Sequence, residues 1–199
     1  MQQENLRRSN RERTDATRAA LMAAARALFI EKSYAETATP EIVAAAGVTR
    51  GALYHHFADK QALFRAVVEQ EAAAVAARIA HATPDAKNAR QALLDGGIAF
   101  LSAMATPGRT RLLLLVGPAV LGRAAIDEIV ARLGARTLRE GLEAAMGEGS
   151  MKPVPLDALT ALLSAVFDRA ALAIEAGAAR EEIVETLRAL VGGLFLPRP

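Results

Sequence analysis

Two helix starts and a helix stop fall within residues 39–56, and that spacing constrains the fold more than any other feature of the chain. Thr39 followed by Pro40 is a start signal, because a threonine hydroxyl accepts from free amides and proline fits the first helical position. The run 41–46 leads to Gly47, a residue suited to a left-handed stop. Thr49 then opens a second short helix over residues 50–56, and Asp59 caps a third start at Lys60. Two short helices joined by Gly47-Val48-Thr49 match helix-turn-helix geometry. Ile42, Val43, Val48 and Leu53 are placed to fill the wedge between them, and Ala46 and Gly47 are small where two backbones come close. That leaves Thr49, Arg50, Gly51, Tyr54 and His55 on the outward face of the second helix.

Helical patterning continues on both sides. Leu21, Ala24, Ala25, Leu28 and Phe29 recur at spacings of three and four, which predicts a helix opening after Thr14 and ending near Ser33 and Tyr34. A longer helix follows over residues 60–80, with Leu63, Phe64, Val67 and Val68 inward. Beyond a boundary at residues 81–88, helices are expected over residues 89–105, 109–116, 118–146, 156–176 and 180–194, with Gly117-Pro118 as a break or joint. Aromatic residues make up only 4% of the 199, tryptophan is absent, and alanine and leucine dominate. Sheets draw on β-branched and aromatic side chains, whereas these residues favour helices. The expected class is all-α: an N-terminal three-helix helix-turn-helix domain and a C-terminal helical-bundle ligand-binding and dimerisation domain. The absence of cysteine excludes a disulfide scaffold, a thiolate zinc site and a cysteine nucleophile.

The outward face of the second short helix suits a duplex groove. Arg50 lies in the first turn, the end that meets base edges in this geometry, and can donate two bonds to guanine. Gly51 and Ala52 carry almost no side chain, so the backbone can approach the groove floor. Thr49 and Tyr54 offer hydroxyls to phosphate oxygens, and Thr39, Pro40 and Lys60 stand at helix starts, where free amides favour anions. Four arginines, Arg7, Arg8, Arg11 and Arg13, face only Glu4 and Glu12 in the first thirteen residues, so the chain's net charge of +2 sits entirely there. This stretch is expected to be a flexible arm that solubilises the chain or follows phosphates.

The segment LMAAARALFIEKSYAETATPEIVAAAGVTRGALYHHFADKQALFRAVV, from Leu21 to Val68, closely resembles the DNA-binding domain of TetR-family transcriptional regulators. The resemblance is most specific in AAGVTRGALYHHFADKQALF. It implies DNA contacts at Thr39, Thr49, Arg50, Gly51, Tyr54, His55, His56 and Lys60. Two positions depart from the family pattern: Ser33 stands where glycine is usual, and Thr39 where an aliphatic residue is common. Neighbouring helical residues point about 100° apart, so His55 and His56 do not chelate one metal from one face; one buttresses the wedge and the other reaches phosphates. The resulting division is a basic arm (1–13), a DNA-binding domain (14–60) and a ligand-binding and dimerisation domain (61–199).

In that last domain, the helix over residues 156–176 confines Asp157, Thr160, Ser164, Asp168 and Glu175 to a narrow stripe and is apolar elsewhere. A helix apolar over most of its circumference has more to bury than one subunit core requires. An intermolecular four-helix interface is therefore expected, with Leu159, Leu162, Leu163, Val166 and Ala170 from this helix and Ile183, Leu187, Leu190, Val191 and Leu194 from the last one. Phe100, Met104, Leu113, Val116 and Phe167 are candidates to line a cavity for a small, largely apolar effector. The resemblance implies the same dimer, and an effector cavity near RLLLLVGPAVLG. The expected partners are double-stranded palindromic operator DNA, a second copy of the chain and that unidentified effector, with no cofactor, metal or membrane. No Ser/His/Asp order, HExxH, GxxxxGK or GxGxxG supports an enzyme, and a purely protein-binding bundle leaves Arg50, Tyr54 and Lys60 without a role. The longest apolar run, residues 112–121, is too short to cross a bilayer and no apolar stretch follows the N-terminal charges, so a cytoplasmic protein is expected.

Overall fold

A computed structural model describes residues 2–83, 86–133 and 135–196. Among them lie ten α-helices, one π-helical segment and a single isolated antiparallel bridge between Met151 and Phe195. The class is all-α. The chain divides into two compact units, one of residues up to 70 with 119–121, the other of residues 71–118 and from 122 onward. The division falls at residues 70 and 71, inside a helix, rather than at Lys60.

The first unit contains α1 (Gln2–Glu31), α2 (Thr39–Ala46), α3 (Arg50–His56) and the opening turns of α4 (Lys60–Ala82). Helix α1 begins well before the expected opening after Thr14. Its N-terminal stretch is rich in Gln, Glu and Arg, good helix formers that extend a helix without an apolar stripe in the sequence. Leu21, Ala25 and Phe29 of α1 bury against Ile42, Leu53, Phe57, Leu63, Phe64 and Val67. The Phe64 ring stands edge-on to both Phe29 and Tyr34, with centroids 5.2 and 5.0 Å away. Between α1 and α2 the chain turns through Ser33, whose φ of 92° lies in the left-handed region. That conformation costs a side-chain-bearing residue roughly 1–2 kcal/mol. Thr37 is buried and offsets it locally, donating to the Ser33 carbonyl at 2.7 Å.

The second unit holds the rest of α4, then α5 (Ala89–Met104), the π-helical segment Arg111–Val116, α7 (Arg123–Leu133), α8 (Ala135–Gly147), α9 (Leu156–Glu175) and α10 (Arg180–Gly192). The short α6 (Gly117–Leu121) continues the π-helical segment without interruption. The expected break at Gly117-Pro118 is therefore absent. Pro118 sits in the first turn of α6 and has no N–H to donate back into the π-helical turn before it. Gly117 is needed for closeness instead: a methyl there would lie 2.8 Å from the Leu112 carbonyl oxygen and 3.0 Å from Ile126 Cδ1. The turn falls later, at Gly122 (φ 86°), and the single helix expected over residues 118–146 is three, α6, α7 and α8.

The core of this unit is built from Leu93 and Leu101 of α5, Leu142 and Ala145 of α8, Leu163 and Phe167 of α9, and Leu187 and Val191 of α10. Within it Arg109 is tied to the buried Glu71 at 2.7 Å and donates also to the Ala103 carbonyl. A second carboxylate, Asp168, lies largely buried on α9, and that burial pushes its pKa up to about 6; Asp127 adds to the rise and Arg123 opposes it.

Asp168 makes stability depend on pH. Its folded pKa lies above its unfolded value, so the stabilisation it provides is complete below about pH 4 and is lost as pH rises through about 6. Asp168→Asn removes that dependence. Relative to wild type, the variant should gain up to about 3 kcal/mol at pH 7.5 and nothing at pH 4, read from urea unfolding midpoints at both values. An identical gain at both pH values would contradict the assignment.

Candidate nucleic-acid interface

Helices α2 and α3 form a wedge whose inner edge is Ile42 and Leu53, both buried, with Val43 and Val48 half-buried beside them. The turn between them uses Gly47 at φ 66°, whose N–H bonds back to the Ala44 carbonyl. Thr49 caps α3: its hydroxyl oxygen accepts from the Ala52 N–H at 3.2 Å, which leaves the hydroxyl proton for an external acceptor. The α2 cap differs from expectation. Ala38 is the cap residue, its N–H donating to Glu41 Oε2 at 2.9 Å, and Thr39 is the first helical residue. Thr39 is therefore not occupied as a cap, and its side chain lies near Tyr54.

Three expected contact residues come together there. Arg50, and after it Thr39, lie near the Tyr54 hydroxyl and hold the phenol below its ordinary pKa. The Arg50 guanidinium lies over the Tyr54 ring, 5.5 Å from its centroid. Tyr54 is 43% exposed although it is a large aromatic, and Thr49, Arg50, Gly51, His55 and Pro40 are exposed around it. At Gly51 a methyl would meet nothing nearer than the Thr49 hydroxyl at 3.9 Å, so no packing within the chain requires glycine. The two histidines divide. His55 faces solvent, while His56 is half-buried toward α1, where burial, then His55 and Arg18, lower its pKa against a weaker pull from Asp15. No group of three or more metal-ligating side chains occurs among the described residues.

Lys60 departs most from its expected role. Its Nζ donates to the Tyr34 and Thr37 carbonyls, both at 3.0 Å, and sits over the Tyr34 ring 4.3 Å from the centroid. Two of three ammonium donors thus bind the α1–α2 loop, leaving one for a phosphate. Tyr34, Thr37 and Arg18, which stacks on Phe57 at 4.9 Å, are the residues of this site that sequence reasoning missed. The Tyr34 and Thr37 carbonyls meet Lys60 from 26 and 23 residues away and Arg18 meets Phe57 across 39, so local spacing does not signal these contacts.

The second unit corrects several expectations. Leu163, Ala170, Leu187 and Val191, assigned to a dimer face, are buried in the subunit's own core, on the sides of α9 and α10 that face α5. Leu162 and Leu190 remain 67% and 53% exposed, with Val166 exposed and Leu159, Ile183 and Leu194 half-buried beside them. Of the cavity candidates, Met104 and Leu113 are buried core residues, and Phe100 and Val116 are half-buried. Phe167 lines a small cleft that the other four do not border. No helix among the described residues is long and apolar enough to cross a membrane.

Two family profiles match the chain. Residues 21–67 match the profile described as bacterial regulatory proteins, tetR family, and residues 90–194 that of the tetracyclin repressor-like C-terminal domain. The chain belongs to the TetR family. A solved TetR-family transcriptional regulator from Pectobacterium atrosepticum is 30% identical, with a TM-score of 0.75 over 95% of this chain and 99% of that one. The transcriptional repressor BepR of Brucella suis is 36% identical over 85 residues, 40% of each chain. The A-factor receptor protein of Streptomyces griseus is 35% identical over 81 residues, 41% of this chain and 27% of its own. The chain thus spans less than half the length of these two curated relatives, whereas it spans nearly all of the solved structure.

Lys60 is a strut in this TetR-family domain, and Lys60→Met tests that. Methionine keeps the apolar stem but leaves two carbonyls without donors, which should cost about 2 kcal/mol and lower the urea midpoint. An unchanged midpoint would show that the ammonium serves only external partners.

Proposed function

We propose that this TetR-family regulator binds a palindromic operator as a homodimer, represses from it, and is released by a small, largely apolar effector. The observation that carries the reading is the exposed Arg50–Tyr54 pair, the guanidinium over the ring, beside a glycine that nothing inside the chain requires. A tyrosine and an arginine that hold one another on an open face are preorganised for phosphate and base edges, and bare backbone at Gly51 admits the groove floor. Arg50 reads a guanine, Thr39, Pro40, Thr49, Tyr54, His55 and the remaining Lys60 donor follow phosphates, and His56 supports α3 from within. The protein is a binding protein without catalysis of its own, working where the chromosome lies.

One seven-residue helix contacts too few bases for a unique address, so pairing supplies specificity. The apolar ridge of Leu159, Leu162, Val166, Ile183, Leu190 and Leu194 supports such pairing, since large exposed apolar patches mark interaction sites. The name of the A-factor receptor protein supports a response to a bound factor. Release follows if the effector binds the low-affinity state better, since a ligand shifts an equilibrium only by its differential affinity.

Selection of bound fragments from random duplex DNA tests the operator reading, and a two-fold symmetric site is the expected yield. On that site Arg50→Ala should lose about 1–3 kcal/mol and relax preference at one base pair per half-site, measured by titration against cognate and single-base variants. Equal loss on cognate and random DNA would refute base reading. The double substitution Leu162→Glu with Leu190→Glu should give folded monomers by sedimentation and abolish measurable operator binding. Dimers that persist in that variant would place the subunit interface elsewhere.

A further inference from the structure

The division of the chain into two units cuts helix α4, leaving residues 60–70 in the first unit and residues 71–82 in the second. Of residues 71–82, Glu71, Ala72 and Val75 are buried, with Ala76 and Ile79 half-buried. Alanines and a single valine interlock weakly with a neighbour, so their apolar contact lets a helix turn or slide at small cost. The firmer grip is Glu71. Its Oε2 accepts from Arg109 Nε at 2.7 Å, and the two side chains are 8% and 12% exposed. Arg109 is in turn fixed to the end of α5, where Nη1 donates to the Ala103 carbonyl at 2.7 Å and to the Thr106 hydroxyl at 3.0 Å. The turn that carries Arg109 is pinned as well, because the buried Thr110 hydroxyl donates to the Met104 carbonyl at 2.9 Å.

We propose that the Glu71–Arg109 pair fixes the register of α4 against the second unit and is thereby a positioning pair for operator recognition, although it lies outside the unit that holds α2 and α3. A buried ion pair is a poor stabiliser, because the lost hydration of two charges offsets most of their attraction. Its distinctive property is direction. A charge-assisted bond of 2.7 Å tolerates little displacement, whereas methyl groups pass one another easily. An arginine already bonded to two further oxygens cannot follow Glu71 if α4 turns. Helix α4 runs 23 residues without interruption, so a rotation at Glu71 is carried to Lys60, which holds the α1–α2 loop. Two reading helices on one duplex must match the spacing of the half-sites, and an error in α4 is expressed as a wrong spacing. The role in recognition rests on the proposed homodimer at a palindromic operator. The register of α4 is a property of each subunit and is measured without DNA.

The chain contains no cysteine, so Ala77→Cys on α4 and Glu148→Cys, both exposed and both in the second unit, take one spin label each in the full-length protein. Diluted with unlabelled protein, the labels report one intrachain distance. Its distribution should be narrow in the wild-type background and about twofold broader in Glu71→Met with Arg109→Met. That double variant should melt close to wild type, since apolar side chains replace both charges and the Ala103 carbonyl keeps the Thr106 N–H. Glu71→Gln should show the reverse: its amide oxygen still accepts from Nε, so the distribution stays narrow while the melting temperature falls. On the selected operator the double variant should bind about tenfold more weakly and discriminate less against spacers one base pair longer or shorter, with affinity for random duplex unchanged. Should the double variant fail to fold, Arg109→Lys, which keeps the charge without the fork, must broaden the distribution or the proposal fails. An unchanged distribution, or an unchanged spacer preference on the operator, overturns it. The expected distances in a wild-type protein that selects no symmetric site leave the grip on α4 standing and refute the operator reading instead.

Discussion

The DNA-facing unit depends on one ammonium group. Lys60 Nζ holds the carbonyls of Tyr34 and Thr37 and lies on the Tyr34 ring, at the point where α1 ends and α2 and α4 begin. Thr37 works from below, its hydroxyl donating to the carbonyls of Ser33 and Leu28. The loop between α1 and α2 contains a left-handed serine and has no strand or helix bonds of its own to fix it. Side chains from the flanking helices supply that fixation. Beneath them the Phe29, Tyr34 and Phe64 rings fill the gap in mutually tilted contacts. The start of α2, and with it Thr39, is placed by this arrangement, next to the face on which Arg50 lies over Tyr54. Shape at the outer face is thus set by an interaction on the inner one.

This hierarchy explains which features could be read from residues alone. Caps and turns are local, and Gly47, Thr49 and Asp59 perform the roles their types imply: Asp59 Oδ1 accepts from the Ala62 N–H at 2.7 Å just as Thr49 accepts from Ala52. Buried positions follow from period, and Leu21, Phe29, Ile42, Leu53 and Phe64 are inward as their spacing predicts. Lys60 could not be read in this way, because its partners are 23 and 26 residues away and a lysine at a helix start looks the same whether it faces an anion or a carbonyl pair. Thr39 was misplaced by a single residue for a similar reason. Glu41 satisfies the amide of Ala38 by reaching back from the first turn, so a residue with no polar side chain serves as the cap.

The second unit shows where pattern underdetermines packing. An apolar α9 implies that most of its surface is covered, but not by what. In the subunit, Leu163, Phe167, Ala170 and Ala171 already have cover, while Leu162 and Val166 do not. Periodicity ranks all of them alike. The GPAVL segment posed the opposite problem. Proline and glycine together signal a break, yet a π-helical stretch before them shifts the register so that Pro118 falls in a first turn and Gly117 receives the close approach of Leu112 and Ile126. Local chemistry was satisfied by a rarer helix type rather than by an interruption.

Helix α10 carries two jobs on separate sides. With 100° between successive residues, Leu187 and Val191 point into the core, Leu190 lies about 60° to one side of Leu187, and Arg188 lies about 100° to the other. Yet one rigid rod of thirteen residues connects them. A displacement of Val184 and Leu187 must move Leu190 with them, because packed helices shift as units rather than residue by residue. The core-facing and exposed sides of α10 are therefore chemically separate and mechanically linked, so a change in how Leu187 packs is felt at Leu190.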